Sequence, residues 1–195
     1  VDLAPGGWSV LSDAQLAVLD TGKNIKARGN VFNALLHDND TRSLIENAVG
    51  GSGDDTIFGN DGGNILTVNG GLDTLAGRRG ADTLIGSSGA DRLTGGKCSD
   101  AFWFTSTADG GDSVTDFDAK DLIALSASAF GNLGVTPGQA SELDDTFFIA
   151  RNSNVAQTAE EQVIFRTSDS TLWFDADGIG FAAAVLLATL NNGAV

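Results

Sequence analysis

The stretch GGSGDDTIF GNDGGNILT VNGGLDTLA GRRGADTLI GSSGADRLT GGKCSDAFW, residues 50–103, consists of six nine-residue units laid end to end. The sixth position of successive units holds Asp55, Asn64, Asp73, Asp82, Asp91 and Asp100, and the eighth holds Ile57, Leu66, Leu75, Leu84, Leu93 and Phe102. An acidic ladder and an apolar ladder therefore run in phase. Glycine at the fourth position (Gly53, Gly62, Gly71, Gly80 and Gly89) suits a turn with positive φ, and its missing Cβ lets carbonyl oxygens crowd together. The end of each unit is too short for a helix and puts a single apolar side chain on one face, as a short strand does. Two units then make one coil with two strands, and eighteen residues return the chain to the same side.

Such a coil stacks turns from units two apart, bringing Asp55 to Asp73, Asn64 to Asp82, Asp73 to Asp91 and Asp82 to Asp100. Carboxylates brought within about 4–6 Å repel, and one takes up a proton unless a cation lies between them. Carboxylate and carbonyl oxygens in flexible loops, without imidazole or thiolate, select calcium over zinc or copper. The Asp73/Asp91 pair is expected to form the best site, and the Asn64/Asp82 pair carries one charge less. The pattern Gly-Gly-x-Gly-x-Asp-x-U-x, with U a large apolar residue, resembles the calcium-binding repeat of RTX proteins. That resemblance implies an all-β fold whose centre is a parallel β-roll, a right-handed coil of nonapeptide repeats. Several Ca2+ ions would sit in its turns, held by the sixth-position side chains and by the backbone at Gly53, Gly71, Gly80 and Gly89.

The chain of 195 residues carries 26 acidic against 11 basic side chains, a formal charge of −15. Acidity on this scale argues against nucleic acid or an anionic membrane as partner. With 42% hydrophobic residues and aspartates at fixed spacing, much of the negative charge reads as ligand charge for cations rather than as disorder. Cys98 is the single cysteine, so there is no internal disulfide; it replaces the fourth glycine of the last unit and reads as a substituted turn. No apolar run reaches the roughly 18 residues of a transmembrane segment. No cationic region precedes an apolar one at the start, and the chain opens on Val1, which points to processing or to a piece of a longer protein. Tyrosine and methionine do not occur, for which the physics of the repeat offers no reason.

Residues 1–49 form a lead-in. VDLAPGGWSVL reads as a short strand, a turn at Pro5-Gly6-Gly7 and a second strand carrying Trp8 inward. Ser12 and Gln15 resemble a capping box, which predicts a short helix over Asp13 to Asp20. His37, beside Asp38 and Asp40, reads as a surface residue, because metal and acid-base sites need partners of matching chemistry. The run IENAVGGSGDDTIFGN, with VDLAPGGWS upstream, is similar to the C-terminal domain of serralysin-type secreted metalloproteases, where such a strand leads into the roll. This resemblance, over roughly residues 1–130, implies a secreted bacterial protein exported by a type I system through an uncleaved C-terminal signal, folding on extracellular calcium. The catalytic zinc domain that would normally precede it has no counterpart in this sequence, which contains no His-Glu-x-x-His.

Residues 104–130 form an acidic cap to the roll, whose last apolar rung would otherwise face water. Its run DGGDSVTDFDAKDLIAL resembles the segment that closes the roll in RTX proteins, which makes Asp109, Asp112, Asp116 and Asp121 candidates for terminal calcium sites. In residues 131–195, after a loop GNLGVTPGQASELDD, the runs TFFIA, EQVIFRT and STLWFDADG read as three strands in antiparallel succession, with a turn at Ser168-Asp169-Ser170. DADGIG lacks the glutamate that ends an EF-hand and reads as an Asp-Gly turn. GFAAAVLLATL reads as a strand or short helix packing against that sheet. By resemblance the secretion signal would lie here, although the tail NNGAV lacks the acidic residue and hydrophobics that end serralysins.

These readings converge on a calcium-binding RTX module of an extracellular protein, secreted or held at the cell surface. The partners to be weighed are calcium and a fused or associated protease domain or surface assembly, with no nucleic acid and no transmembrane segment. An adhesive or surface-layer module, or polysaccharide binding through Trp8, Trp103 or Trp173, is the other class of reading. No nucleophile elbow, phosphate loop or Cys/His pair supports an enzyme.

Overall fold

A computed structural model describes residues 1–9, 18–20, 25–26, 31–32, 44–131, 133, 148–158, 161–179 and 182–191. Its elements, in chain order, are β1 (Trp8–Ser9), β2 (Val18–Asp20), β3 (Ile25–Lys26), β4 (Val31–Phe32), β5 (Asn47–Val49), β6 (Thr56–Phe58), β7 (Ile65–Thr67), β8 (Thr74–Arg79), β9 (Thr83–Ile85), β10 (Arg92–Lys97), β11 (Ala101–Phe104), β12 (Asp112–Val114), β13 (Leu122–Leu125), the short helix α1 (Ala127–Phe130), β14 (Phe148–Arg151), β15 (Val163–Arg166), β16 (Thr171–Phe174) and β17 (Val185–Leu190).

Each nonapeptide ends in a strand, and successive units feed opposite sheets. β6, β8 and β10 lie side by side in one sheet, and β5, β7, β9 and β11 in the other. Pairing is parallel, with Thr56 opposite Thr74 and Thr74 opposite Arg92, and with Ile65 opposite Thr83 and Thr83 opposite Ala101. The chain is thus a parallel β-solenoid whose turns repeat at the expected separation of 18 residues. Lead-in strand β5 already keeps this register, with Asn47 opposite Ile65.

The period of two places the middle residue of each strand indoors. Ile57, Leu75 and Leu93 from one sheet meet Leu66, Leu84 and Phe102 from the other, all at most 1% exposed. Val114 extends the first row, and Ala48 and Ile123 pack at the ends of the second. Below the last repeat the step lengthens to 21 residues: Asp112 follows Asp91, and Asp121 follows Asp100. Phe117 then tilts against Phe102, and Phe130 of α1 meets Phe174 edge to face, closing the end of the core with rings.

Several expectations outside the repeats need correction. Trp8 does not turn inward; it is 37% exposed, while its neighbour Ser9 is buried. The end of the proposed helix is strand β2, antiparallel to β3, so the local capping signal yields to strand pairing there. The rest of that helix, His37, the loop 131–145 apart from Gly131 and Leu133, and most of the tail NNGAV lie outside the described residues. The C-terminal strands are not antiparallel throughout. β14 and β15 run parallel, so they do not form a hairpin, while β15, β16 and β17 are antiparallel. The apolar run near the C terminus does not pack onto the sheet but enters it: β17 sits between β16 and β12, parallel to β12, and so occupies an edge the roll would leave open. At the other end of this sheet Val1 and Leu3 pair with β6, through Phe58 N–H to the Val1 carbonyl and Leu3 N–H to the Phe58 carbonyl.

The buried rungs set the stability of the roll. Leu84→Ala, fully buried between neighbouring rungs, is expected to lower unfolding free energy by about 2–5 kcal/mol. Leu72→Ala, at a side chain 65% exposed, leaves it within about 0.5 kcal/mol. Urea unfolding of both variants in saturating calcium measures the difference.

Candidate metal centre

The turns between strands bring the sixth-position side chains into two columns, and the contact that aligns them is a carboxylate on a backbone amide. Asp55 N–H donates to Asp73 Oδ1 at 2.6 Å, Asp73 N–H to Asp91 Oδ1 at 2.8 Å, and Asp91 N–H to Asp112 Oδ1 at 2.9 Å. In the second column Asn64 N–H donates to Asp82 Oδ1 at 2.7 Å, Asp82 N–H to Asp100 Oδ1 at 2.9 Å, and Asp100 N–H to Asp121 Oδ1 at 3.0 Å. The expected pairings all occur, and Asp112 and Asp121 continue the columns beyond the repeats.

At Asp73, Asp82, Asp91 and Asp100 one carboxylate oxygen is thereby used and the other is left over. Oδ2 of Asp73, Asp82, Asp91 and Asp100 is buried without a hydrogen-bond partner. An ionised oxygen in that condition is strongly unfavourable unless a cation reaches it. Its surroundings are oxygen-rich. A methyl group built on Gly86 would lie 2.6 Å from Asp91 Oδ2 and 3.1 Å from Asp112 Oδ2. One built on Gly77 would strike Asp82 Oδ2 and lie 2.6 Å from the Gly95 carbonyl oxygen. Only glycine leaves these spaces open, which explains the first glycine of the unit more directly than turn geometry does.

The fourth-position glycines hold the turns apart by the least amount. Gly71, Gly80 and Gly89 have positive φ (127°, 109° and 143°), and a side chain on any of them would enter the backbone of Gly53, Gly62 or Gly71 in the preceding coil. Gly53 and Gly62 are not among the positive-φ residues, and Gly53 has open space around it, since the backbone there meets no earlier turn of this kind. Cys98 takes the fourth-position role with φ 90° and an exposed side chain, a conformation that disfavours any residue with a Cβ.

Among the described residues no three acidic, histidine or cysteine side chains converge on one point. The oxygens that face these turns belong to carboxylates and backbone carbonyls, a donor set that suits calcium's flexible six to eight oxygens and not zinc. Of the cap aspartates, Asp116 accepts from the Gly95 and Gly96 amides, at 2.9 and 2.8 Å. Buried Asp109 binds its own turn through Thr105 and Ser106, and so acts as a brace at this end.

Burial raises the affinity of the ladder for protons. Desolvation pushes Asp82 up to about 6, with the Asp100 charge adding to it, and pushes Asp112 up to about 8, with Asp91 and Asp109 adding. Asp73, Asp91 and Asp100 shift upward for the same first reason. Asp175, in the DADGIG turn, is raised by burial and by Asp177.

Sequence reasoning missed the second position of the unit. Asn60, Asn69, Arg78 and Ser87 stand there in place of glycine, and their side chains donate to carbonyls of neighbouring turns. Departure from the repeat at that position was the available signal. The tie from Arg78 to Asp2, at 2.8 and 3.1 Å, joins residues too far apart in the chain to be read from spacing.

These features define a calcium-binding solenoid. The model of the RTX calcium-binding nonapeptide repeat (four copies) matches residues 43–75, 67–97 and 76–112. Residues 43–112 are RTX repeats, which bind calcium and are typical of secreted proteins. No curated protein matches the chain. A solved structure to which it is similar is the solution structure of the AlgE6R3 subunit from the Azotobacter vinelandii mannuronan C5-epimerase, with 27% identity, 71% of each chain covered and a TM-score of 0.42. Among the described residues no helix is long and apolar enough to cross a membrane.

Two outcomes follow from the geometry. In the unfolded chain aspartate titrates near 3.8, whereas the metal-free folded roll keeps protons on Asp82 and Asp112 up to about 6 and about 8. The folded state then binds more protons than the unfolded one across that window, so its stability falls as pH rises through it. The residual β signal of the chain in chelator, read by circular dichroism, should be smaller at pH 9 than at pH 5, and saturating calcium should remove the difference. Separately, Cys98→Gly relieves a left-handed backbone and should raise the urea midpoint, by about 1 kcal/mol in stability.

Proposed function

We propose that this chain is a folding module switched by extracellular calcium, which supports type I export and then the stability of the secreted protein. Asp55, Asn64, Asp73, Asp82, Asp91 and Asp100, with Asp112 and Asp121 below them, are the side chains assigned to the ion columns, and Asp109 and Asp116 are assigned with Asp112 and Asp121 to the terminal calcium sites. The observation that carries the reading is the row of buried carboxylate oxygens without partners. Where calcium is scarce these anions oppose the fold, and the glycine-rich chain adds a large ordering entropy, on the order of 1–2 kcal/mol per residue. Such a chain stays unfolded and can be threaded through a channel. Outside the cell calcium binds the folded form only and draws the equilibrium toward it. Extracellular modules of this type bind calcium with dissociation constants of about 10⁻⁴–10⁻³ M.

The test is circular dichroism of the calcium-free chain during calcium titration. The β signal should rise cooperatively in the submillimolar to millimolar range, and Asp91→Asn should move the midpoint at least several-fold higher. A β signal of full size in chelator, unchanged by calcium, would overturn the proposal.

A further inference from the structure

The second position of the repeat divides the roll into two chemically different halves. Asn69 Nδ2 donates to the Gly50 carbonyl at 2.9 Å, Arg78 Nη1 to the Gly59 carbonyl at 2.7 Å, and Ser87 Oγ to the Val68 carbonyl at 2.7 Å, each reaching back 19 residues. The acceptor is in every case the first-position carbonyl of the preceding coil. The next donor in this series would come from residue 96, which is Gly96 and has no side chain. The first-position carbonyls of the units that open at Gly77, Gly86 and Gly95 receive no such side-chain donor among the described residues.

Three further contacts mark the upper half. Asn64 Nδ2 donates to the Glu46 carbonyl at 3.0 Å, and Asn60 Nδ2 to the Ile45 carbonyl at 2.6 Å. Two oxygens gather beside Gly77 and Gly86, and likewise beside Gly59, but next to Gly50 Asp55 Oδ2 is joined by a methyl carbon of Val68: the two lie 2.7 and 2.8 Å from a side chain built there. Val68 itself fills the first position of its unit, the place that glycine leaves open at Gly77 and Gly86. Amide and guanidinium hydrogens carry positive charge to carbonyl oxygens, as a bound cation does, and a methyl group offers an ion nothing.

We infer that calcium loads only the lower turns, those opening at Gly77, Gly86 and Gly95, and that Asn60, Asn64, Asn69, Arg78 and Ser87 are built-in substitutes for the ion in the upper turns. The inference rests on the reading of the roll as a calcium-dependent module and alters its ion map. Asp82, Asp91 and Asp100 become the principal carboxylate ligands, and Asp73, whose Oδ2 is also buried without a partner, marks the boundary between the two halves. Asp55 closes its own turn on the Gly51 amide at 2.6 Å. The best site moves from the Asp73/Asp91 pairing to those below it.

Native mass spectrometry of the full chain with added calcium counts the ions. Asp82→Asn, Asp91→Asn and Asp100→Asn should each bind one ion fewer than the wild type, and Asp55→Asn the same number. Asn64→Asp with Arg78→Gly, which restores the repeat in one upper turn and puts glycine at a φ of 81°, should bind one more. An ion lost in Asp55→Asn overturns the inference, as does a folded double variant with no added ion. Should the double variant not fold, the comparison of Asp55→Asn with Asp82→Asn decides alone. A wild-type chain that binds no calcium refutes the underlying module, whereas ions lost equally from upper and lower turns refute only this division.

Discussion

The structure depends on one contact repeated down two columns: an aspartate Oδ1 accepting the backbone N–H of the matching residue in the coil above. A charged acceptor makes this stronger than an ordinary amide hydrogen bond. It also fixes register, since a slip of one residue would turn every apolar side chain outward. The same contact creates the need for an ion. At Asp73, Asp82, Asp91 and Asp100 it uses one oxygen on the backbone and leaves the other buried without a hydrogen-bond partner, so the element that aligns the coils also destabilises them in the absence of a counter-charge.

The ends of the roll are treated unequally. One sheet is paired past both limits, at the top by Val1 and Leu3 on β6 and at the bottom by β17 on β12. The other ends at β5 and β13. Its outward positions Val49, Ile65, Trp103 and Leu122 are exposed and uncharged in a chain of net charge −15. Arg78 strengthens the upper end by binding Asp2 with its guanidinium and lying 5.5 Å over the Phe58 ring. In that position a single side chain both anchors the N terminus and neutralises a turn.

What could be read from sequence was what repeats. Period, strand placement, the buried ladder at Ile57 through Phe102 and the pairing of aspartates two units apart all follow from nine-residue spacing, because each residue's environment is set by its copy one coil away. The cap aspartates were legible only in part. Asp112 and Asp121 extend the columns, but their 21-residue step breaks the period, and nothing local separates them from Asp109 and Asp116. The sense of β14 against β15 was not legible either, since a crossover and a hairpin bury the same alternating residues. Trp8 was misplaced because a two-residue strand carries too little alternation to fix a face. The donors at the second position were hidden by the consensus itself, which expects glycine there and treats any other residue as decay.

The ladder has a direction, and that direction accounts for where the irregular residues fall. Every linking bond runs from a backbone amide of an earlier coil to a side chain of a later one. The first coil therefore has side-chain oxygens with no earlier amide to hold, and they turn back on their own loops: Asp55 Oδ2 accepts from the Gly51 amide and Asn64 Oδ1 from the Asn60 amide. The last repeats have the opposite deficit, amides at Asp91 and Asp100 with no further repeat to serve them, and the non-repetitive cap supplies Asp112 and Asp121. Neutral amides and a guanidinium suit the upper end, where oxygens need donors and no further carboxylate arrives. Carboxylates suit the lower end, where amides need acceptors, and it is there that negative charge accumulates in burial. A polar repeat closed in this way concentrates its demand for cations at one end, even though the sixth-position residues look nearly alike along the chain.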